Sequence, residues 1–534
     1  MKKILIIAAA VLAFAGCAKE AAQVEKVTID GKEYMTFKVV AEDDVICADT
    51  KATLSRGGVF GWSDGEPIYF VAAGSAMATG SYDASAGTIT VESGDWMFAS
   101  NAPFDSDSKI KDFGLAKGPV VISKVEGGTL KFHHIGSVIN VKFESIPIDG
   151  YLEFWPEGGI KWAGGEFDFN GSEPELMGGG TDDIYIKRPI TTADAGTDIT
   201  ISVPNERYST GFTVALSGTT TRYFMKSTST DYDLSPRPTL LNMRELSLPT
   251  YTVAGDPADL FNGFNWAPDA AINDMELKET GVYEKTYTYL PSWLGFKVVE
   301  GHAWGGNDWG NGDDNYKMNP PSKVGGGMTI TFSPYRTPAI EVNEFDMYTV
   351  VGNTELCGTF WGDNWTETYV NDMEETAPGV FYKKLTGVSA GTHTFKVVKN
   401  HAWDNAWGAD DDNFTFTTSS DGDVEIYFYR DVPSIKVVGW SEDYRIAGSE
   451  FFFGTDWNAA DDNNLMEIQD NGTYSKSYPV SDEHDYWNVY FKVTRDGGWG
   501  FSRPSEDVEV QLEKGKTLTI KYNPVTTTVS ASLD

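Results

Sequence analysis

The chain has 534 residues, a hydrophobic share of 41% and a formal charge of −36. That length calls for several domains, and that charge repels nucleic acid and other polyanions, since no basic patch stands out to offset it. Fifty-five Gly, 16 Trp and an aromatic share of 13% favour β-rich binding domains over a helical enzyme, and three Cys rule out a disulfide scaffold.

The first residues read as an address. Lys2 and Lys3 precede a twelve-residue apolar stretch, 4–15, that ends in Ala15-Gly16-Cys17. Such a stretch is a secretion signal over residues 1–16, too short to span a bilayer. The Cys behind Ala-Gly resembles a bacterial lipobox, which implies cleavage before Cys17 and lipidation of that residue. A plain cleaved signal with an incidental Cys is the alternative. No later run of eighteen apolar residues occurs, so acyl chains are the expected membrane anchor. Cys47 and Cys357 are expected to be buried thiols and not a redox pair.

Residues 17–248 run in short alternating stretches, such as 35–40, 88–91, 137–143 and 198–203, broken by Gly, Asp, Asn and Pro. Strands and turns follow, with almost no helical period, so one or two β-sandwiches are expected. The residues Thr50-Lys51-Ala52-Thr53-Leu54-Ser55, Trp62-Ser63-Asp64-Gly65-Glu66 with Ile68, and Phe132-His133-His134 resemble the fimbrillin-like lipoproteins of Bacteroidota. That resemblance implies a transthyretin-like sandwich at the cell surface. Adjacent His133 and His134 point to opposite faces of a strand, which favours solvated or packed imidazoles over a metal site.

Residues 249–534 repeat one pattern three times, over 249–345, 346–441 and 442–534. The copies open at Tyr251, Tyr348 and Tyr444, and an early Trp follows at Trp266, Trp365 and Trp457. Met275, Met373 and Met466 each precede a Gly by six residues, at Gly281, Gly379 and Gly472. A Phe-Lys-Val strand begins at Phe296, Phe395 and Phe491, and eight residues after each Phe stands Trp304, Trp403 or Trp499. Alternating apolar strands close the copies at 328–332, 424–428 and 518–522. Each copy has strands and residues enough for its own core, so three tandem Ig-like sandwiches are expected in an all-β chain, not a solenoid.

Within each strand Lys297, Lys396 and Lys492 lie between inward Phe and Val, and so point outward. The gap from Lys to the later Trp is seven in every copy. An early Trp, a Lys and a later Trp meeting on one face suit a sugar. Pyranose C–H groups lie on an indole, and hydroxyls accept from the ammonium. Each ring contributes on the order of 1 kcal/mol for about 40–50 Å² of apolar sugar face. One site binds weakly, and tandem sites add avidity.

Gly358-Thr359-Phe360 before Trp365, Gly379, Gly391 to Phe395-Lys396-Val397, and His401-Ala402-Trp403-Asp404-Asn405-Ala406-Trp407-Gly408 resemble starch- and glycogen-binding modules found beside pullulanases. They also resemble lipoproteins of the Bacteroidota starch-utilisation system. Copy 1 offers Gly301-His302-Ala303-Trp304 and Trp309-Gly310 in the same places. The resemblance implies α-glucan contacts for Trp266, Lys297, Trp304, Trp309, Trp365, Lys396, Trp403, Trp407, Trp457, Lys492 and Trp499. It further implies a place on the outer membrane facing the exterior, beside other glycan-uptake proteins. Copy 3 departs, since Gly497-Gly498-Trp499-Gly500 lacks the His, the second Trp and the Asp-Asp-Asn run, and it is expected to bind least or to take another glycan.

Each of these residues also has a bland reading. The paired Trp can plug a core, Trp309 and Trp407 can pin a loop, and the Lys can be ordinary solvated residues. Asp313-Asp314-Asn315 and Asp411-Asp412-Asn413 offer oxygen ligands but lack the spread spacing of an EF-hand, so solvated or sugar-bonding turns are expected and no metal. No serine elbow, metal-binding His cluster, phosphate loop or dinucleotide fingerprint stands out, and no enzyme or cofactor is expected. The competing function is a fimbrial or adhesive lipoprotein whose repeats are structural, or bind host or biofilm partners.

Overall fold

The computed structural model describes residues 24–534 apart from 42–45, 48–63, 73–75, 101, 105, 107–108, 111–120, 135–136, 159–166, 169–174, 177–184, 204–206, 235–238, 313 and 359–369. Cys17, Trp361, Trp365 and the 50–55 motif therefore lie outside the described residues, as do the side chains of Cys47, His133 and His134. The fold is all-β. Its described α-helices are single turns, Thr354–Cys357 and Glu450–Phe453. The chain forms two compact units. One is Met1–Thr250 with Glu276–Tyr283 and Ser333–Ala339, and the other is Tyr251–Met275, Glu284–Phe332 and Ile340–Asp534.

The first unit begins with a sheet that closes on itself. Lys32–Ala41 pairs with Thr129–His134 on one side and Thr88–Glu92 on the other, and Val121–Glu126, Trp96–Ser100, Pro67–Ala72 and Met77–Asp83 complete the ring. This part closes into a barrel. The ten-residue strand Lys32–Ala41 closes the ring, with Lys38 opposite Thr129 and Thr88, and Glu25–Ile29 pairs with it as an exposed edge strand. Phe37, Phe70, Phe132, Ile68, Ile89 and Leu130 form its buried core. A sandwich does follow. One of its sheets holds Asp198–Val203, Ser137–Lys142, Thr239–Asn242 and Ile46–Cys47; the other holds Ile186–Ile190, Gly150–Pro156, Phe212–Ser217 and Arg222–Ser227. Phe143 and Phe224 meet edge to face at 5.6 Å.

Apart from Glu276–Tyr283 and Ser333–Ala339 of the first, which belong to the first unit, the second unit holds three modules of one design. In each, a strand opened by Tyr251, Tyr348 or Tyr444 pairs antiparallel with the Phe-Lys-Val strand, which is Leu294–Glu300, Gly391–Lys399 or Asn488–Arg495. The opening Tyr is buried against Phe332, Phe428 or Tyr522 of the late strand, at 4.9, 5.0 and 4.8 Å, which joins the two sheets of each module. Met275, Met373 and Met466 are buried, and their N–H groups donate to the carbonyls of those Tyr. The Gly six residues later has φ of +89°, +74° or +77°, a left-handed turn that explains why a residue without Cβ recurs there. Cys357 is buried, and burial pushes its thiol up to about 12.

Candidate functional site

The outer face of each Phe-Lys-Val strand is where the recurring residues gather. Phe296, Val298, Phe395, Val397, Phe491 and Val493 are fully buried, so alternation turns Lys297, Lys396 and Lys492 to the other face. In module 1 the side chain of Lys297 is 17% exposed, and its ammonium lies 2.5 Å from the Asp308 carboxylate. In module 3 Lys492 lies 3.5 Å from the Asp507 carboxylate and donates to the Ser505 carbonyl. These partners make the cation one half of an electrically balanced pair. Asp308 and Asp507 escape the sequence because their reach depends on how each hairpin returns, which the spacing alone does not fix.

The two Trp meet beside the Lys. Trp266 and Trp304 have ring centroids 6.4 Å apart with planes at 45°, and Trp457 and Trp499 are 6.2 Å apart at 38°. Trp304 is 44% exposed and Trp499 49%, so neither plugs a core. A methyl placed on Gly295, which shares the outer face with Lys297, would stand 3.9 Å from Trp266 Cζ2. The early indole therefore lies over the strand, one outward position from the Lys.

Trp266 and Trp457 both have left-handed backbones, with φ of +49° and +47°, and their N–H groups donate to Gly255 and Gly448 carbonyls at 2.8 and 3.0 Å. Such a backbone costs a bulky residue about 1–3 kcal/mol, and modules 1 and 3 hold it at the same position. In module 2 Lys396 and Trp403 occupy the matching places, and Trp403 is 47% exposed. Its intended partner, Trp365, lies outside the described residues.

Trp309 and Trp407 do not join these groups. Trp309 pairs with Val298 and Trp407 with Val397, and residues opposite each other in a ladder share a face, here the inner one. Trp309 packs on Tyr251 and Phe332 at 5.8 and 4.9 Å, and Trp407 on Tyr348 and Phe428 at 5.9 and 5.0 Å. Both rings are half-buried at the edge of the core, on the face opposite the Lys.

The His of the His-Ala-Trp run are loop pins. His302 and His401 take φ of +60° and +51° just before the exposed Trp, and each ring Nε2 lies 2.7 Å from a carboxylate, Asp274 or Asp372. In module 3 Gly497, with φ +68°, takes the same turn without a His. The missing His therefore leaves the Trp457–Trp499 pair intact.

The Asp-rich turn of module 2 faces module 3. Asp410 accepts from Arg495, Tyr444 and Tyr522 at 2.5, 2.7 and 2.5 Å, and Arg503 reaches Asp411 at 2.8 Å. Burial, followed by the Asp410 carboxylate, pushes both phenols up. Asp410, just before the Asp-Asp-Asn run, is buried at this junction, while Asp411 and Asp412 of the run itself are exposed. Among the described residues no group of three His, Cys, Asp or Glu is placed to hold a metal ion.

No protein-family model matches the chain. It is similar to an amylopullulanase of Thermoanaerobacterium thermosulfurigenes, 27% identical over 192 residues that make up 33% of this chain and 10% of that enzyme. The chain thus spans about a tenth of the curated relative it matches. Among solved structures it is similar to SusF from Bacteroides thetaiotaomicron, with 10% identity and a TM-score of 0.15 over 77% of this chain and 94% of that one. It is also similar to the pullulanase from Bacillus acidopullulyticus, with 11% identity and a TM-score of 0.15 over 53% of this chain and 28% of that one. Neither superposition bears on the site, which rests on this chain's own residues.

Proposed function

We propose that this chain is a non-catalytic glycan-binding protein that captures starch-like α-glucans on the paired indoles of its three C-terminal modules. The observation that carries this reading is the tilted Trp pair, one ring exposed and the other half-buried, beside an outward Lys, repeated at 6.4 and 6.2 Å in modules 1 and 3. Two indoles meeting at an angle make a trough for the apolar faces of successive sugars in a curved chain, which is how α-linked glucose runs. The Lys is balanced by Asp308 or Asp507, so the trough favours neutral hydroxyls over a charged polymer. The net charge of −36 works against anionic glycans in the same direction. The similarity to an amylopullulanase is consistent with a glucan ligand.

Binding without cleavage is the expected behaviour, because stacking rings and a salt-bridged ammonium supply neither a positioned acid nor a nucleophile. The purified chain incubated with starch, pullulan and glycogen should release no reducing ends. Release above a heat-killed control, surviving repurification, would contradict the reading. We further propose that lipid on Cys17 holds the protein at the outer membrane, facing the exterior. Cys17→Ser should move it out of the membrane fraction, and an unlipidated variant that stays there would overturn the anchor.

A further inference from the structure

Module 3 carries rings at its site that the other two modules lack. Counting along the Phe-Lys-Val strands, Tyr490 holds the position of Gly295 in module 1 and Thr394 in module 2, directly before the inward Phe. The position of Gly295 touches the early Trp of its module, since a Cβ there would lie 3.9 Å from Trp266. Tyr490 thus stands on the outer face between the Trp457–Trp499 pair and the start of its strand, about 7 Å from Lys492 along the backbone. It is 40% exposed, and its ring is held in place: its hydroxyl donates to Glu509 at 2.9 Å, and Asn488 donates to the same oxygen at 2.7 Å.

Two further exposed rings lie by the start of that strand. Ser449 exchanges backbone and side-chain hydrogen bonds with Tyr490 and directly precedes the single helical turn Glu450–Phe453, which carries Phe451. Phe451 meets Trp487 edge to face at 4.8 Å, and the two are 40% and 50% exposed. The corresponding residues are Ala258 and Ser292 in module 1, and Glu355 and Gly391 in module 2. Module 1 does expose Trp293, but the outward position next to its Trp266 is Gly295, which offers no ring.

We propose that Tyr490, Phe451 and Trp487 form an added stretch of the module 3 site, so that this module takes a longer run of an α-glucan chain than either neighbour. The proposal rests on the glucan-binding reading above. Exposed rings of this size are not required by the fold, since the same positions are Gly, Ala and Ser in module 1. The Glu509 and Asn488 groups at the edge of Tyr490 offer an acceptor and a donor to sugar hydroxyls. Trp487 stands directly before the strand Asn488–Arg495, five residues from Lys492 and about 16 Å along an extended backbone, room for roughly three more glucose units beyond the Trp pair. Module 3 then becomes the site most sensitive to chain length, the reverse of the weak site expected from its sequence.

The test uses the full chain with Trp304→Ala and Trp403→Ala to silence modules 1 and 2, titrated calorimetrically with maltotriose and maltoheptaose. The heptamer should bind about tenfold tighter than the trimer. Adding Tyr490→Gly, the residue of module 1, should remove most of that gain while leaving maltotriose within twofold, and Tyr490→Phe should keep it. In the reciprocal background of Trp403→Ala and Trp499→Ala, Gly295→Tyr should create a length preference in module 1, where the backbone is not left-handed and the nearest atoms to the new Cβ lie at 3.7 Å or more. An unchanged length preference in Tyr490→Gly, or an equal loss for both sugars, overturns the extension alone. Failure of the unmutated chain to bind either sugar overturns the glucan reading, and the extension with it.

Discussion

Trp304 and Trp309 stand five residues apart and do opposite work. Trp304 lies out on the sheet face beside Trp266, while Trp309 packs on Tyr251 and Phe332. Truncation should separate them. Trp309→Ala opens a cavity beside two core rings and should lower stability by about 2–4 kcal/mol, while Trp304→Ala should leave the melting temperature nearly unchanged and remove the glucan affinity of module 1. Denaturant titration alongside calorimetry on the two variants checks both halves, and the reverse pattern would exchange their roles. The Trp-Lys-Trp trio was legible from its spacing, because strand alternation alone sends Lys297 outward. The inward turn of Trp309 was not legible, because it depends on the register Val298 to Trp309, set by a Gly-rich loop whose path the sequence does not dictate. The role of Tyr490 was hidden for a different reason. A motif search looks for what the copies share, and Tyr490 is where they differ.

At the scale of strands and turns, the repeats were open to sequence reading because each landmark has one physical cause. The opening Tyr joins two sheets, the Met fills the core, and the Gly turns a hairpin at positive φ. The closed barrel of the first unit was not visible, since strand alternation looks the same in a barrel and in a sandwich, and only the pairing of Lys32–Ala41 with Thr88–Glu92 closes it. The strand opening at Tyr444 also carries a pH response. Burial, then the neighbouring Asp496, pushes the Glu442 carboxyl up to about 7, against the opposing pull of Arg495 and the Asp443 N–H. The native state then holds a proton that the unfolded chain releases near its ordinary value of 4.5, so this group's contribution is full below about pH 4.5 and is lost as pH rises through 7. The melting temperature should therefore fall between pH 5 and pH 8, and Glu442→Gln should flatten that slope. A slope equally steep in the variant would place its origin elsewhere.

Across the second unit, the modules are tied to one another by buried polar contacts and do not hang as separate beads. Asp346 is 3.3 Å from Lys323 of module 1 and 2.9 Å from Lys399 of module 2, and His401 donates from Nδ1 to the Gly325 carbonyl at 2.6 Å. Asp410, with its side chain 4% exposed, joins module 2 to Arg495, Tyr444 and Tyr522 of module 3. Asp410→Asn leaves Arg495 without its buried counter-charge and should cost about 2–4 kcal/mol, splitting one calorimetric transition into two. A single unshifted transition would show that the junction does not couple the modules. Sites held at fixed spacing suit a polymer that reaches all three, where each bound module raises the local concentration for the next. The most direct test of that account is retention of the full chain on insoluble starch, comparing the unmutated protein with Trp304→Ala, Trp403→Ala and Trp499→Ala singly and together. Each single variant should keep most of the retention and the triple variant should lose it with its melting temperature intact; a folded triple variant that binds starch as well as the unmutated chain would contradict the claim that these indoles hold the glucan.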